Sequence, residues 1–232
     1  MIQFEVNNYL ALYGSEITYT SKLIEDFDLM VEHEIFHHAL NIYHYLFMTV
    51  LYQTIFKIRE CRKEKFEDAT ILISYRDLPR QKILETSLAF DFSNINERSF
   101  MDFLRLLDAD ENLVSDCKRL VNDRNDRSHA NGNYFSDIVL FEEKISKYDN
   151  VLFRVHDFLK KFIILIIKMY MDGLNSKSEI TIDDLEIELL TPYRLSIADL
   201  FCFNTIYNLR LKSNRLVKQI IDENYDFSFL NS

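Results

Sequence analysis

The chain has 232 residues, 48% of them hydrophobic and 14% aromatic, which excludes a disordered or fibrous protein and allows a sizeable core. Three glycines and two prolines are too few for the turns of a hairpin-rich β architecture, so the composition predicts long helices. With 27 basic against 37 acidic residues the net charge is −10, which argues against a general nucleic-acid coat protein but not against a local positive cleft.

Cys61, Cys117 and Cys202 are odd in number, far apart and without CxxC spacing, as expected of a reducing compartment without a disulfide frame or thiolate metal site. The start, MIQFEVNNYLALYG, has no basic region ahead of its apolar residues, so no signal peptide is expected. The strongest apolar run, residues 162–167, is bounded by Lys160, Lys161 and Lys168 and is too short to span a bilayer. A cytoplasmic protein with no membrane partner is the expectation.

Residues 1–19 show no clear period and form an arm or a short helix. Thr20 or Ser21 is placed to cap a long helix, with Glu25 and Asp26 in its early turns. Phe36, Leu40, Tyr43, Phe47, Leu51 and Ile55 continue it as one apolar stripe to about Lys65. Within that stretch His33-Glu34-Ile35-Phe36-His37 matches HExxH, in which two histidines one turn apart bind zinc and the glutamate activates water. A third ligand is lacking. The extended pattern needs glycine where Leu40 stands and histidine where Tyr43 stands, and His44 lies roughly 10 Å beyond His37 along the axis. Packed boundary histidines, and no metal site, are the expectation.

Residues 66–79 read as a connector with a short strand at 70–75, followed by a helix over 81–90. Ser93 or Asn94 caps another, with Phe100, Phe103, Leu104 and Leu107 apolar. After a turn at 108–112, Leu113, Cys117, Leu120 and Val121 define the next helix, which Asn131-Gly132 stops. A further long helix is expected from Ser136 to about Met171. Residues 173–178 are the best linker, and Thr181-Ile-Asp-Asp184 has the form of a capping box opening a short acidic helix. Residues 196–224 then give one or two amphipathic helices, with Ile206, Leu209, Leu216 and Ile220 turned to the bundle. There is no internal repeat and no glycine-rich phosphate loop.

The stretch of greatest chemical interest is residues 120–133, LVNDRNDRSHANGN. A helix carries Arg124, Asn125 and His129 to its C-terminal end. A neutral imidazole can move a proton at cellular pH, and a guanidinium fits a phosphate bidentately. Together they suit attack of a ribose 2′-hydroxyl on its own phosphodiester without a metal, with Arg124 stabilising the charge on the phosphoryl oxygens. A plain polar helix end, with histidine favoured there by the helix dipole, is the competing reading.

Arg124-Asn125 followed by His129 resembles the signature of the HEPN superfamily: arginine, a polar residue, a short spacer, then histidine. The resemblance covers these few residues only. It implies an all-α fold: a HEPN-like bundle of long antiparallel helices over residues 20–172, preceded by the 1–19 arm and followed by a helical extension over 173–232 packed on it. It further implies a metal-independent endoribonuclease, needing no cofactor and leaving 2′,3′-cyclic phosphate ends, of the kind found in bacterial toxin and phage-defence systems. Arg124 and His129 would be catalytic, with Asn125 and Arg127 holding the RNA. Partners would be RNA, a second copy of the chain, and an antitoxin or defence-system protein. Members that bind nucleotides or partners without cutting keep a non-catalytic module open as the alternative, with the HExxH zinc hydrolase a distant third. Five positions along a helix turn through roughly 500°, so Arg124 and His129 project roughly 140° apart. A site shared across a two-fold axis, Arg124 of one chain with His129 of the other, resolves that difficulty.

Overall fold

A computed structural model describes residues 6–11, 16–73, 79–128, 134–173, 186–196, 198 and 199. Its elements in chain order are α1 (Val6–Tyr9), α2 (Ile17–Glu32), α3 (Phe36–Cys61), α4 (Lys63–Leu72), α5 (Arg80–Glu85), a 3-10 segment (Ala89–Asn94), α6 (Glu97–Leu106), α7 (Glu111–Ser128), α8 (Ile138–Gly173), a π turn (Glu186–Leu190) and α9 (Thr191–Tyr193). The fold is all-α, with no β-strand among the described residues, and none of their helices is long and apolar enough to cross a membrane.

Helix α3 is the axis of the fold. From Leu46 to Ile58 every residue is buried, including Thr49, Gln53, Thr54 and Lys57. A helix hydrophobic on one stripe covers a surface, whereas one buried on all sides lies inside a bundle. Accordingly α3 packs chiefly against α2 and α8, and also against the 3-10 segment, α4, α7 and α1. The expected stripe Phe36, Leu40, Tyr43, Phe47, Leu51 and Ile55 is wholly buried. Phe66, Phe92, Phe100 and Phe103 extend this core, with the rings of Phe66 and Phe103 stacked 5.4 Å apart between centroids.

Gln53 holds the start of the chain against this core. Its amide oxygen accepts from the Ala11 N–H (2.9 Å) and its amide nitrogen donates to the Ala11 carbonyl (3.1 Å). Val6, Leu10 and Ala11 are buried as a result, so this part of the expected arm is a helical turn built into the bundle. The end of the described chain is held by charge: Lys57 Nζ donates to Asp199 Oδ2 (2.5 Å), and His156 Nε2 lies 3.3 Å from Asp199 Oδ1.

Several local expectations are corrected. The single helix from 20 to 65 is three helices. α2 ends in a Schellman motif: the Ile35 N–H donates to the Met30 carbonyl (2.8 Å), the Glu34 N–H to that of Val31 (3.0 Å), and Glu34 sits at φ 57°. Glu34 is not glycine, so no stop signal is visible in the sequence. The same motif ends α6, with Asp108 at φ 73° and Ala109 donating to Leu104, and recurs at Arg194, φ 52°, with Leu195 donating to Leu190. Non-glycine residues therefore take the left-handed position that a chain with three glycines would be short of. The strand expected at 70–75 is replaced over residues 70–72 by the last turn of α4, and the helix expected over 81–90 is divided between α5 and the 3-10 segment. The cap of α6 is Asn96, not Ser93 or Asn94. The linker at 174–178, the capping box at 181–184 and the helices expected beyond 199 lie outside the described residues.

Candidate active site

Helix α7 begins at an aspartate cap: Asp110 Oδ1 accepts from the N–H groups of Asn112 (2.8 Å) and Leu113 (3.0 Å). Leu113, Val114, Cys117, Leu120 and Val121 then bury one face. Arg124 follows Leu120 and Val121 on that face, one turn later, so the apolar stripe delivers a guanidinium to the edge of the core. What meets it there is Glu97. Asn96 caps α6 by accepting from the N–H groups of Arg98 (3.1 Å) and Ser99 (3.3 Å), which puts Glu97 in the first turn, where the helix dipole favours a carboxylate.

Glu97 Oε2 pairs with Arg124 Nη2 and lies 3.1 Å from His44 Nε2. A carboxylate only accepts, so His44 Nε2 carries the proton and Nδ1 accepts from the Tyr148 hydroxyl at 2.9 Å. That hydroxyl in turn accepts from Arg127 Nη2 at 3.3 Å. Arg127 pairs with Asp123 and donates from Nε to Asn41 (3.4 Å), while Lys144 donates to Asp123 (3.1 Å). Side chains of α3, α6, α7 and α8 thus form one directed chain of hydrogen bonds, running from Arg127 through Tyr148 and His44 to Glu97, with Arg124 closing the far end.

The titration of these groups follows from that order. Burial lowers the His44 pKa, more than its bond to Glu97 raises it, so the ring is neutral. Burial also opposes the charge on Glu97, but hydrogen bonds from His44 and Arg124, with the Arg124 charge, outweigh it and hold the carboxyl at about 2. Since His44 is fully buried and neutral, Arg124 supplies the positive charge that Glu97 faces and His44 supplies an N–H. Burial pushes Tyr148 up to about 12, with Arg127 acting against it, so its hydroxyl keeps the proton it gives to His44.

One side of this network is open. A cleft of about 480 Å³ is lined by Ser93, Asn96, Glu97, Arg98, Arg124 and Asn125. A second, of about 460 Å³, is walled by Tyr19, Tyr45, Tyr52 and Phe90, and shares Ser93 and Glu97 with the first. Arg124 is one-fifth exposed, and its buried Nε–H has no acceptor among the described residues.

Of the residues expected at the site, Arg124 and Asn125 line the same cleft. Arg127 is 7% exposed and is not among that cleft's lining residues, its guanidinium engaged by Asp123, Asn41 and Tyr148. His129 lies outside the described residues. The HExxH residues do not share one helix, because His33 caps α2, Glu34 is left-handed and His37 belongs to α3, where its ring stacks on Tyr134 at 4.9 Å. No group of three side chains able to hold a metal ion is found among the described residues. Sequence spacing singles out His44 only as a failed zinc ligand, and nothing in it points to Glu97 or Tyr148, which lie 27 positions before and 24 after Arg124. No protein-family model, curated protein or solved structure matches the chain.

Proposed function

We propose that the chain is a metal-independent endoribonuclease of the kind its Arg124-Asn125…His129 motif resembles. The observation that carries the reading is Arg124 itself, fixed on one edge by Glu97 and one-fifth exposed at the side of an open polar cleft. A guanidinium anchored on one edge is oriented for a phosphoryl oxygen on another, and pre-orientation is what makes such a charge effective in the transition state. The ribose O2′ attacks the adjacent phosphorus and O5′ departs, giving a 2′,3′-cyclic phosphate and a 5′-hydroxyl. His129 moves the proton, taking it from O2′ or returning it to O5′. Asn125 contacts the substrate. Arg127 acts through Tyr148 and His44 as a positioning residue.

The site is composite in a homodimer, with Arg124 of one chain serving His129 of its partner. Tyr134, Ile138, Val139 and Leu140, just beyond the motif, are exposed large hydrophobic residues suited to a second copy. A toxin or defence role, with a protein partner that silences the nuclease, completes the proposal. The rival is a module that binds nucleotides or a partner without cutting; it is favoured by the charge of Arg124 being partly met by Glu97 already.

Purified protein incubated with RNA distinguishes the two. Cleavage is expected from the unaltered chain, with Arg124→Ala and His129→Ala each folded and slower by about 10²–10³-fold or more. Activity restored by mixing the two variants would establish a site formed in trans. Full activity in His129→Ala would overturn the role of that residue, and binding without cleavage would favour the module.

A further inference from the structure

The second cleft brings together rings from three separate elements: Tyr19 of α2, Tyr45 and Tyr52 of α3, and Phe90 of the 3-10 segment. Tyr19 is 52% exposed and Tyr45 43%, and the Phe90 ring meets Tyr19 edge-on at 5.0 Å. A single exposed aromatic needs no explanation, but two facing one cleft with others behind them form a platform. Partial burial, then the neighbouring Tyr45, raises the Tyr19 hydroxyl above its ordinary range, so the Tyr19 ring remains a neutral phenol.

The cleft also has a directional polar group. Both bonds to Glu97, from His44 and from Arg124, end on Oε2. Oε1 receives no hydrogen bond from any described residue, and Glu97 lines both clefts. A carboxylate oxygen fixed in this way is an acceptor looking for an N–H.

We infer that the aromatic cleft is a base-binding subsite, in which the nucleobase beside the phosphate at Arg124 stacks on Tyr19 and Tyr45 and donates its exocyclic amine to Glu97 Oε1. This rests on reading the Arg124 cleft as an RNA site. The two clefts share Ser93 and Glu97 as a common wall, which places them side by side for a base in one and its phosphate in the other. An apolar protein side chain fits less well, because it would cover Oε1 without giving it a donor. The cations Arg98 and Arg124 on the adjoining cleft complement a phosphate chain leaving the stacked base. The acceptor sets the preference: adenine, cytosine and guanine carry an amine, whereas the one donor on the uracil base edge, N3–H, is flanked by two carbonyl oxygens that Glu97 repels.

The test uses the full chain and labelled hexamers made wholly of 2′-O-methyl nucleotides, which bind but cannot be cut. Fluorescence anisotropy should show A and C hexamers binding more tightly than U. Tyr19→Ala and Tyr45→Ala should each weaken the A hexamer by about 5- to 150-fold, the range for losing one base–aromatic stack, while Tyr19→Phe binds as the unaltered chain does. Replacing adenine by N6,N6-dimethyladenine removes the donor without touching the protein and should abolish the advantage over U. Equal binding of adenine, dimethyladenine and uracil would overturn the contact to Glu97. Unchanged affinity in both tyrosine variants, with Arg124→Ala weakened, would overturn the subsite, leaving the RNA reading intact and the cleft to some other occupant. Failure of the unaltered chain to bind any hexamer would overturn both.

Discussion

Two buried charge clusters sit on α3, at His44 and at Lys57, roughly 20 Å apart along the helix axis. Around Lys57 everything is sealed: the side chains of Lys57 and Asp199 are 2% and 0% exposed, and Ser196 N–H adds a second bond to Asp199 Oδ2 at 2.7 Å. Burial resists the charge on Asp199, but Lys57 and His156 together hold its carboxyl far below the usual carboxylate range. Around His44 the cluster runs outward instead, ending at Glu97 and Arg124, which are 21% and 20% exposed beside two clefts. A sealed pair can only hold segments together, here residue 199 to α3. A network with one open end can hold a charged group in place and still present it to a ligand. The sealed cluster reads as structural and the open one as functional.

The largest expected difference comes from breaking the sealed pair. Lys57→Met leaves Asp199 buried with its main counter-charge gone and should lower stability by about 3–5 kcal/mol in urea titrations. RNA cleavage per folded molecule should be unchanged. A loss below about 1 kcal/mol, or selective loss of cleavage, would erase the contrast between the clusters.

Glu97→Gln is the matching change at the open cluster. It removes the charge facing Arg124 and should lower stability by about 1–3 kcal/mol, less than a sealed pair because water reaches this end. Cleavage should fall by a larger factor than stability explains, as Arg124 loses its anchor. Parallel losses of stability and cleavage would make Glu97 a merely structural residue.

A smaller effect is expected in the pH dependence. The folded His44 has a lowered pKa, so below the ordinary histidine value of 6.5 the unfolded chain takes up a proton that the folded chain does not. Stability is therefore complete above pH 6.5 and declines as pH falls below it. His37, lowered first by burial, contributes with the same sign. His44→Gln should reduce the decline of Tm between pH 6.5 and 5 without removing it. Glu97, held at about 2, adds nothing in that window and loses its contribution only as pH falls from 4.5 toward 2. An unchanged slope in His44→Gln would mean that the ring is charged in the fold.

The smallest change lies outside both clusters. Glu34→Gly relieves a left-handed glutamate at an exposed helix end and should stabilise by up to about 1 kcal/mol, the strain relieved being offset in part by glycine's entropy. Cleavage should be untouched. Destabilisation would show that Glu34 makes a contact worth more than its strain.

Much of the fold is legible in the sequence because it depends on period and composition. The stripe from Phe36 to Ile55, the helix that carries Arg124 and the long helix after residue 137 all follow from apolar spacing. The break after Glu32 does not, because a Schellman turn at Glu34 has neither glycine nor proline to announce it. The site divides in the same way. Arg124 and Asn125 are close in sequence and their residue types suggest a chemistry. Glu97, His44 and Tyr148 are brought to them by the packing of three other helices, and each is unremarkable where it stands: an acid at a helix start, a histidine beside an apolar stripe, a tyrosine among polar residues. The aromatic cleft is still further from reach, since its rings come from residues 19, 45, 52 and 90.

The most direct measurement is the chemical nature of the ends left on a short RNA by chelator-treated protein, read by mass spectrometry for the unaltered chain and for Arg124→Ala. Fragments ending in a 2′,3′-cyclic phosphate, each followed by one beginning with a 5′-hydroxyl, are predicted from the first and should be absent from the second. Fragments with 3′-hydroxyl and 5′-phosphate ends, equal cleavage by Arg124→Ala, or RNA left intact by the unaltered chain would contradict an endoribonuclease built on Arg124.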